Sequence, residues 1–242
     1  MASDYQPLYV LASGMLLQER KLDVITNNLA NTNTTAFKKD LLLINAWYTN
    51  KGSKVQTDAP EHPSNNFVYP MILKHKHDLS EGTIKYTKNK FDIALIGEGF
   101  LGVKTPEGTV YTKKGRLALD HEGFLTTEEG YRVVDDVGNE IFIGDGDMTV
   151  DKEGNIYINN EFIGRLGLWK LENPEKVGHG FFKGRAELSD NTQVEQGFIE
   201  TSNVNPVEEM AKLIETSRAH EVYSRLIQAI DEVQNRVNTI AT

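Results

Sequence analysis

The chain of 242 residues has no cysteine. Disulfides, thiolate chemistry and cysteine-based metal sites are therefore excluded, and the chain suits passage between reducing and oxidising compartments. Basic runs are also missing. Lys and Arg occur in ones and twos, and the formal charge is −9. Nucleic acid is thus not expected as a partner, because that needs a basic face. No apolar run approaches the ~20 residues of a membrane span, so no transmembrane segment is expected. The N-terminus shows no basic stretch followed by an apolar core and a small-residue cleavage site, so a cleaved signal peptide is not expected.

Catalytic and ligand motifs fail on their spacing. Gly97, Gly99 and Gly102 spell the dinucleotide fingerprint after an apolar strand, with Asp120 about 20 residues on. Pro106, Gly108 and an alternating pattern leave no room for the helix that must follow. Asp145, Asp147, Asp151, Glu153 and Asn155 suggest calcium, but Ile156 stands where the sharp turn of a calcium loop needs Gly. Among six histidines only His75 and His77 are close. There is no G-x-S-x-G elbow. No catalytic residue, metal ligand, cofactor or small-molecule substrate is assigned, and the chain is expected not to be an enzyme.

What is present is a pair of helical patterns around a β-rich centre. Leu8, Met15, Leu22 and Leu29 recur every seven residues, with Leu11, Gln18 and Ile25 between them. A seam this narrow favours packing on another helix over burial in a wide core. Gly14 costs about 1 kcal/mol in a helix and allows close helix approach; a merely tolerated Gly is the alternative. The run Asn27, Asn28, Asn31, Thr32, Asn33, Thr34, Thr35 ends this helix, because Asn tolerates left-handed backbone and its side chain competes for backbone hydrogen bonds.

Residues 37–48 are apolar and fit a short helix or a strand, while 51–66 are polar and read as a loop. From about Phe91, short strands alternate with turns. Glu-Gly recurs at 81–82, 98–99, 107–108, 122–123, 129–130 and 153–154, supplying the positive φ of tight turns. The regular spacing predicts an all-β centre built of hairpins. Residues 178–186 are Gly-rich, and 187–200 fit one last extended segment.

The helical period then returns. Asn205, Pro206 and Glu208 occupy the cap, first and third positions of a helix start. Tyr223, Leu226, Ile230, Val233, Val237 and Ile240 continue an apolar stripe. No Pro or Gly follows Pro206, so about 35 residues, or 50 Å, can be continuous helix. The expected class is α+β, mostly β. The expected division is 1–40 (helix and Asn-rich exit), 41–80 (variable extended or loop segment), 81–200 (β-domain) and 201–242 (C-terminal helix).

Three stretches resemble the flagellar basal-body rod and hook proteins: LASGM (11–15), LDVITNNLANTNTTAFKKD (22–40) and GFIETSNVNPVEEMAKLIETSRAHEVYSRLIQAIDE (197–232). Residues 91–135 resemble their shared β-domain. Two positions depart from that pattern. Ala36 stands where Gly is usual, which bears on whether the backbone there is left-handed, and His220 stands where an aromatic residue is usual. The short length is similar to a rod subunit more than to the larger hook subunit, and leans to the proximal over the distal rod.

The resemblance implies a structural subunit of the rod, the drive shaft that transmits torque for motility. It implies export without a cleaved signal through the flagellar type III apparatus, and assembly in the periplasm with copies of itself and neighbouring rod proteins. The terminal helices would form an inner coiled-coil layer, self-assembling through Leu8, Leu11, Met15, Leu22, Ile25 and Leu29 and through the C-terminal stripe. Asn27, Asn28, Asn31, Asn33 and Phe37 are its signature. Alternative readings are a hook-type subunit, or a β-domain that binds a carbohydrate or peptide on a helical stalk. In an isolated subunit the ends are expected to be labile.

Overall fold

The structure, a computed structural model, describes residues 6–50 and 66–240. Among the described residues, two helices bracket sixteen strands. Helix α1 is Gln6–Ala30. The strands are β1 (Asp40–Asn50), β2 (Asn66–His77), β3 (Ile84–Tyr86), β4 (Ile93–Ile96), β5 (Phe100–Thr105), β6 (Gly108–Thr112), β7 (Leu117–Leu119), β8 (Leu125–Thr127), β9 (Arg132–Val133), β10 (Met148–Val150), β11 (Asn155–Ile158), β12 (Glu161–Arg165), β13 (Leu168–Gly178), β14 (Phe181–Leu188), β15 (Gln193–Gln196) and β16 (Phe198–Glu200). Helix α2 is Pro206–Ile240. The class is mostly β with two terminal helices.

The chain divides into two compact units. Of the described residues, one unit holds α1, β1, most of β2, and α2; the other holds 31–39 and 77–204. In the first unit, β1 and β2 form a two-stranded ribbon. The apolar run 37–48, open between helix and strand on sequence, is thus mostly strand. The polar stretch beyond it falls largely outside the described residues.

In the second unit, seven strands form one sheet in the order β13-β14-β6-β5-β9-β8-β7, and β10-β11-β12 form another. Their inward side chains, with Ile93 of β4 from the β4–β15 pair, meet in a core that includes Leu101, Leu125, Met148, Ile156 and Leu168. The Gly-rich stretch 178–186 is not a loop throughout. Gly178, His179 and Gly180 take positive φ and make a turn, after which β14 pairs with β13. Pro174 lies in a register shift of β13, where its missing N–H costs no ladder bond.

The fingerprint glycines make a turn and a strand, not a phosphate loop. Gly97, at φ 107°, leads from β4 to β5, so strand occupies the place a nucleotide-binding helix would need. At Gly102 a Cβ would lie 2.8 Å from both Trp169 Nε1 and Val134 Cγ2, so strand packing demands that glycine. The acidic turn is also spoken for: Asp151 Oδ1 accepts the amides of Glu153 (3.0 Å) and Asn155 (2.9 Å), and Oδ2 accepts Asn155 Nδ2 at 2.8 Å.

Candidate assembly surfaces on the terminal helices

Helix α2 starts where its capping residues place it. Asn205 Oδ1 accepts the amides of Val207 (3.1 Å) and Glu208 (3.4 Å). Pro206 sits in the first turn, where its missing N–H has no intrahelical partner to lose. Glu208 Oε1 accepts Lys212 Nζ one turn on. With no later breaker, the helix runs its full 35 residues.

The two helices pack on each other in antiparallel fashion. Near one end Asn28 Nδ2 reaches Glu209 Oε2 at 3.3 Å. Farther along, a Cβ on Gly14 would lie 2.6 Å from Tyr223 Cε1. Gly14 therefore serves the close approach, and the merely tolerated glycine is ruled out.

The line pressed against α2 is Gly14, Leu17, Ile25 and Asn28, all buried. It is not the leucine heptad most visible in the sequence. Met15, Leu22 and Leu29 each follow the seam positions 14, 21 and 28 by one residue, so they turn 100° away from it. With Leu8 and Leu11 they are half-buried, and Ile25 alone of the six N-terminal stripe residues is buried. On α2 the buried positions are Glu209 and Thr216, and Tyr223 and Ile230 continue that line half-buried. His220 is half-buried one turn from Thr216. Leu226 is 46% and Val233 60% exposed. Val237 and Ile240 lie in α2, but their side chains fall outside the described ones.

The Asn-rich motif works as a clamp. Asn28 is buried and treats Asp40 as a strand neighbour would: its Oδ1 accepts the Asp40 amide at 2.8 Å, and its Nδ2 donates to the Asp40 carbonyl at 3.0 Å. Asn27 Nδ2 holds the Asp40 carboxylate at 2.7 Å. Asn31 accepts the Thr34 amide and hydroxyl, closing the turn after α1, while Asn33 is exposed. Ala36 takes φ 49°, so the left-handed backbone is kept even without the usual glycine. Phe37 is buried under Lys176 Nζ, 4.2 Å from its ring centre.

Sequence reasoning missed the polar junction in the second unit. Lys38 and Glu200, fully buried and 162 positions apart, pair at 2.6 Å. Lys38 Nζ also donates to Ser80 O at 2.8 Å, and the Gly82 amide donates to Glu200 Oε1 at 2.6 Å. Asn203 accepts the Lys39 amide and donates to Asp78 O and Ser80 O. Three distant segments, 36–39, 78–82 and 200–203, are thus sewn together. Both sides lie inside the stretches that carry the family resemblance, but no periodic signal marks a pair so far apart.

A cleft of about 460 Å³ opens beside Phe100 and Leu171. Its charged groups are engaged. Lys170 pairs with Glu98 at 2.5 Å, Glu81 accepts the Gly97 amide, and Lys113 donates to Gly97 O. Burial pushes the Lys113 ammonium below its usual range.

Comparison with known proteins agrees with this layout. Residues 8–38 match the family described as flagella basal body rod protein. Residues 94–160 match the flagellar hook protein FlgE/F/G D1 domain, and 195–240 the flagellar basal body rod FlgEFG protein C-terminal region. The chain is 31% identical to the flagellar basal-body rod protein FlgF of Caulobacter vibrioides, over 93% of this chain and 94% of that one. It is 33% identical to FlgF of Mesorhizobium japonicum over 91% of each, and 28% identical to FlgG of Buchnera aphidicola over 96% and 98%. On this similarity along nearly its whole length, the chain belongs to the flagellar basal-body rod protein family.

Proposed function

We propose that this structural, non-enzymatic rod subunit polymerises through the sides of its helical pair that the pair itself leaves open. The observation that carries the reading is the offset between the seam and the apolar stripes. Met15, Leu22 and Leu29 stand one residue after the seam line of α1. On α2, Val222 and Leu226 stand one residue before the half-buried Tyr223 and Ile227, and Val233 continues their line. In an antiparallel pair these opposite offsets put the two stripes on opposite sides.

A unit with unlike apolar patches on opposite sides adds copies head to tail, which gives open arrays and not closed dimers. Burying each large stripe residue contributes roughly 1.5–3 kcal/mol, which offsets the ~1–2 kcal/mol per residue needed to order labile ends. The ribbon β1–β2, with Leu41, Leu43, Ile44 and Leu73 exposed, would add neighbour-specific contacts, since a two-stranded ribbon is marginal alone. The helices would line the inner, coiled-coil layer of a periplasm-spanning shaft that transmits torque, reached by type III export. Position in the proximal rod is favoured by the two FlgF relatives at more than 30% identity.

The test is Leu226→Asp. It should abolish incorporation and motility while the second unit keeps its unfolding transition. Normal motility in that variant would sink the reading. A ligand-binding module is disfavoured because the charged groups of the cleft beside Phe100 already pair with one another or with the backbone.

A further inference from the structure

The helical pair of α1 and α2 presents a question of register. The α2 line Glu209, Thr216, Tyr223 and Ile230 holds one aliphatic residue, so apolar burial along it discriminates weakly between registers one heptad apart. Sliding α2 by seven residues would set Glu209 opposite Lys21, an attractive pairing, and Tyr223 opposite Pro7. Sliding it the other way would set Tyr223 opposite Lys21.

Two contacts select one register. Residues 14 and 28 are fourteen apart on α1, and their partners 223 and 209 are fourteen apart on α2. Both contacts therefore report the same alignment, and Thr216, midway between the α2 partners, is buried as that alignment requires. They also differ in kind. Glu209, 1% exposed, takes Lys212 Nζ of its own helix on Oε1 at 3.3 Å, and its Oε2 accepts Asn28 Nδ2 from the facing helix at 3.3 Å. The Tyr223 ring needs a notch without a side chain, and Gly14 is the only glycine of α1.

We propose that Asn28–Glu209 and Gly14–Tyr223 form a two-point register lock, a polar pair and a steric notch that together hold the helices in one alignment. A single buried polar group is known to fix register in helical coils. Here a steric notch adds a second, independent point on the same alignment, so either point alone holds it.

The absence of cysteine allows a clean test. Spin labels on Thr26→Cys and Gln228→Cys, both exposed and well separated along the pair, report axial position. One heptad of slip moves a helix by about 10 Å. The parent chain, Glu209→Gln, Glu209→Leu and Gly14→Ala should each show one distance, because at least one point of the lock survives. The Glu209→Leu/Gly14→Ala double variant should add a second population displaced by about 10 Å, with helix content by circular dichroism unchanged. A single, unshifted distance in the double variant overturns the proposal. So does loss of helix content in place of slip, because the two contacts would then supply stability and not register.

Discussion

Removing Lys38 is expected to unfold much of what the second unit can afford to lose. Its side chain is 0% and that of Glu200 2% exposed. Lys38→Met would leave Glu200 in place with only the Gly82 amide at Oε1, while Oε2 already lacks a partner. Breaking one side of a buried pair costs about 3–5 kcal/mol, against a typical total stability of about 5–15 kcal/mol. With a urea dependence near 2 kcal/mol/M, the midpoint should fall by about 2 M. Urea unfolding read by Trp169 fluorescence, in a Trp47→Phe background, measures this on the second unit. Lys38→Met/Glu200→Met removes both charges and should recover at least half of the loss, because the residual cost is the unmet Gly82 amide, while Ser80 O keeps its bond from Asn203. A double variant as unstable as the single one, or a single variant within 1 kcal/mol of the parent, would refute the reasoning.

Four further outcomes are expected. Asn205→Ala should cost about 1 kcal/mol of α2 stability by thermal circular dichroism, with no effect on the second unit's urea midpoint. Ala36→Val should cost about 2 kcal/mol or more by urea unfolding, because a β-branched residue fits φ 49° poorly, whereas Ala36→Gly should stay within about 1 kcal/mol as strain relief offsets the lost methyl and the added chain entropy. Ile230→Asp should block incorporation in a motility assay without unfolding the second unit. The second unit should also lose stability in acid. Lys104 and Arg132 hold the Glu140 carboxyl below its ordinary value; around Asp120, burial opposes ionisation but is outweighed by the amides of Phe124 and Glu122 and by Arg132. Carboxyls with lowered folded values stabilise above their unfolded values of 4.5 and 3.8 and lose that contribution as pH falls through the folded ones, so urea midpoints should hold to about pH 4.5 and drop below it.

Both helices were legible because their signals are local: a cap at Asn205, no breaker after it, and a seven-residue period from Leu8. The seam was not. Periodicity finds apolar lines, whereas the line α1 presses on α2 includes Gly14 and Asn28, chosen by closeness and hydrogen bonding. Turn glycines placed most strands, but β14 was hidden by the glycines of its own turn. The Asn-rich motif was visible as a helix end; that Asn28 stands in for a strand neighbour of Asp40 depends on geometry. Lys38 and Glu200 were invisible as a pair because charge normally signals surface, and only a folded chain shows two such residues meeting 162 positions apart.

The most direct measurement is the reactivity of engineered cysteines at Leu226 and Val233 towards a maleimide, in dilute subunit and in assembled rods. No native thiol competes. Both sites are exposed in the subunit and should label fast there, then slow at least tenfold in the rod as the stripe is covered. Equal labelling in the two states would show that the open sides of the helical pair are not where the rod is built.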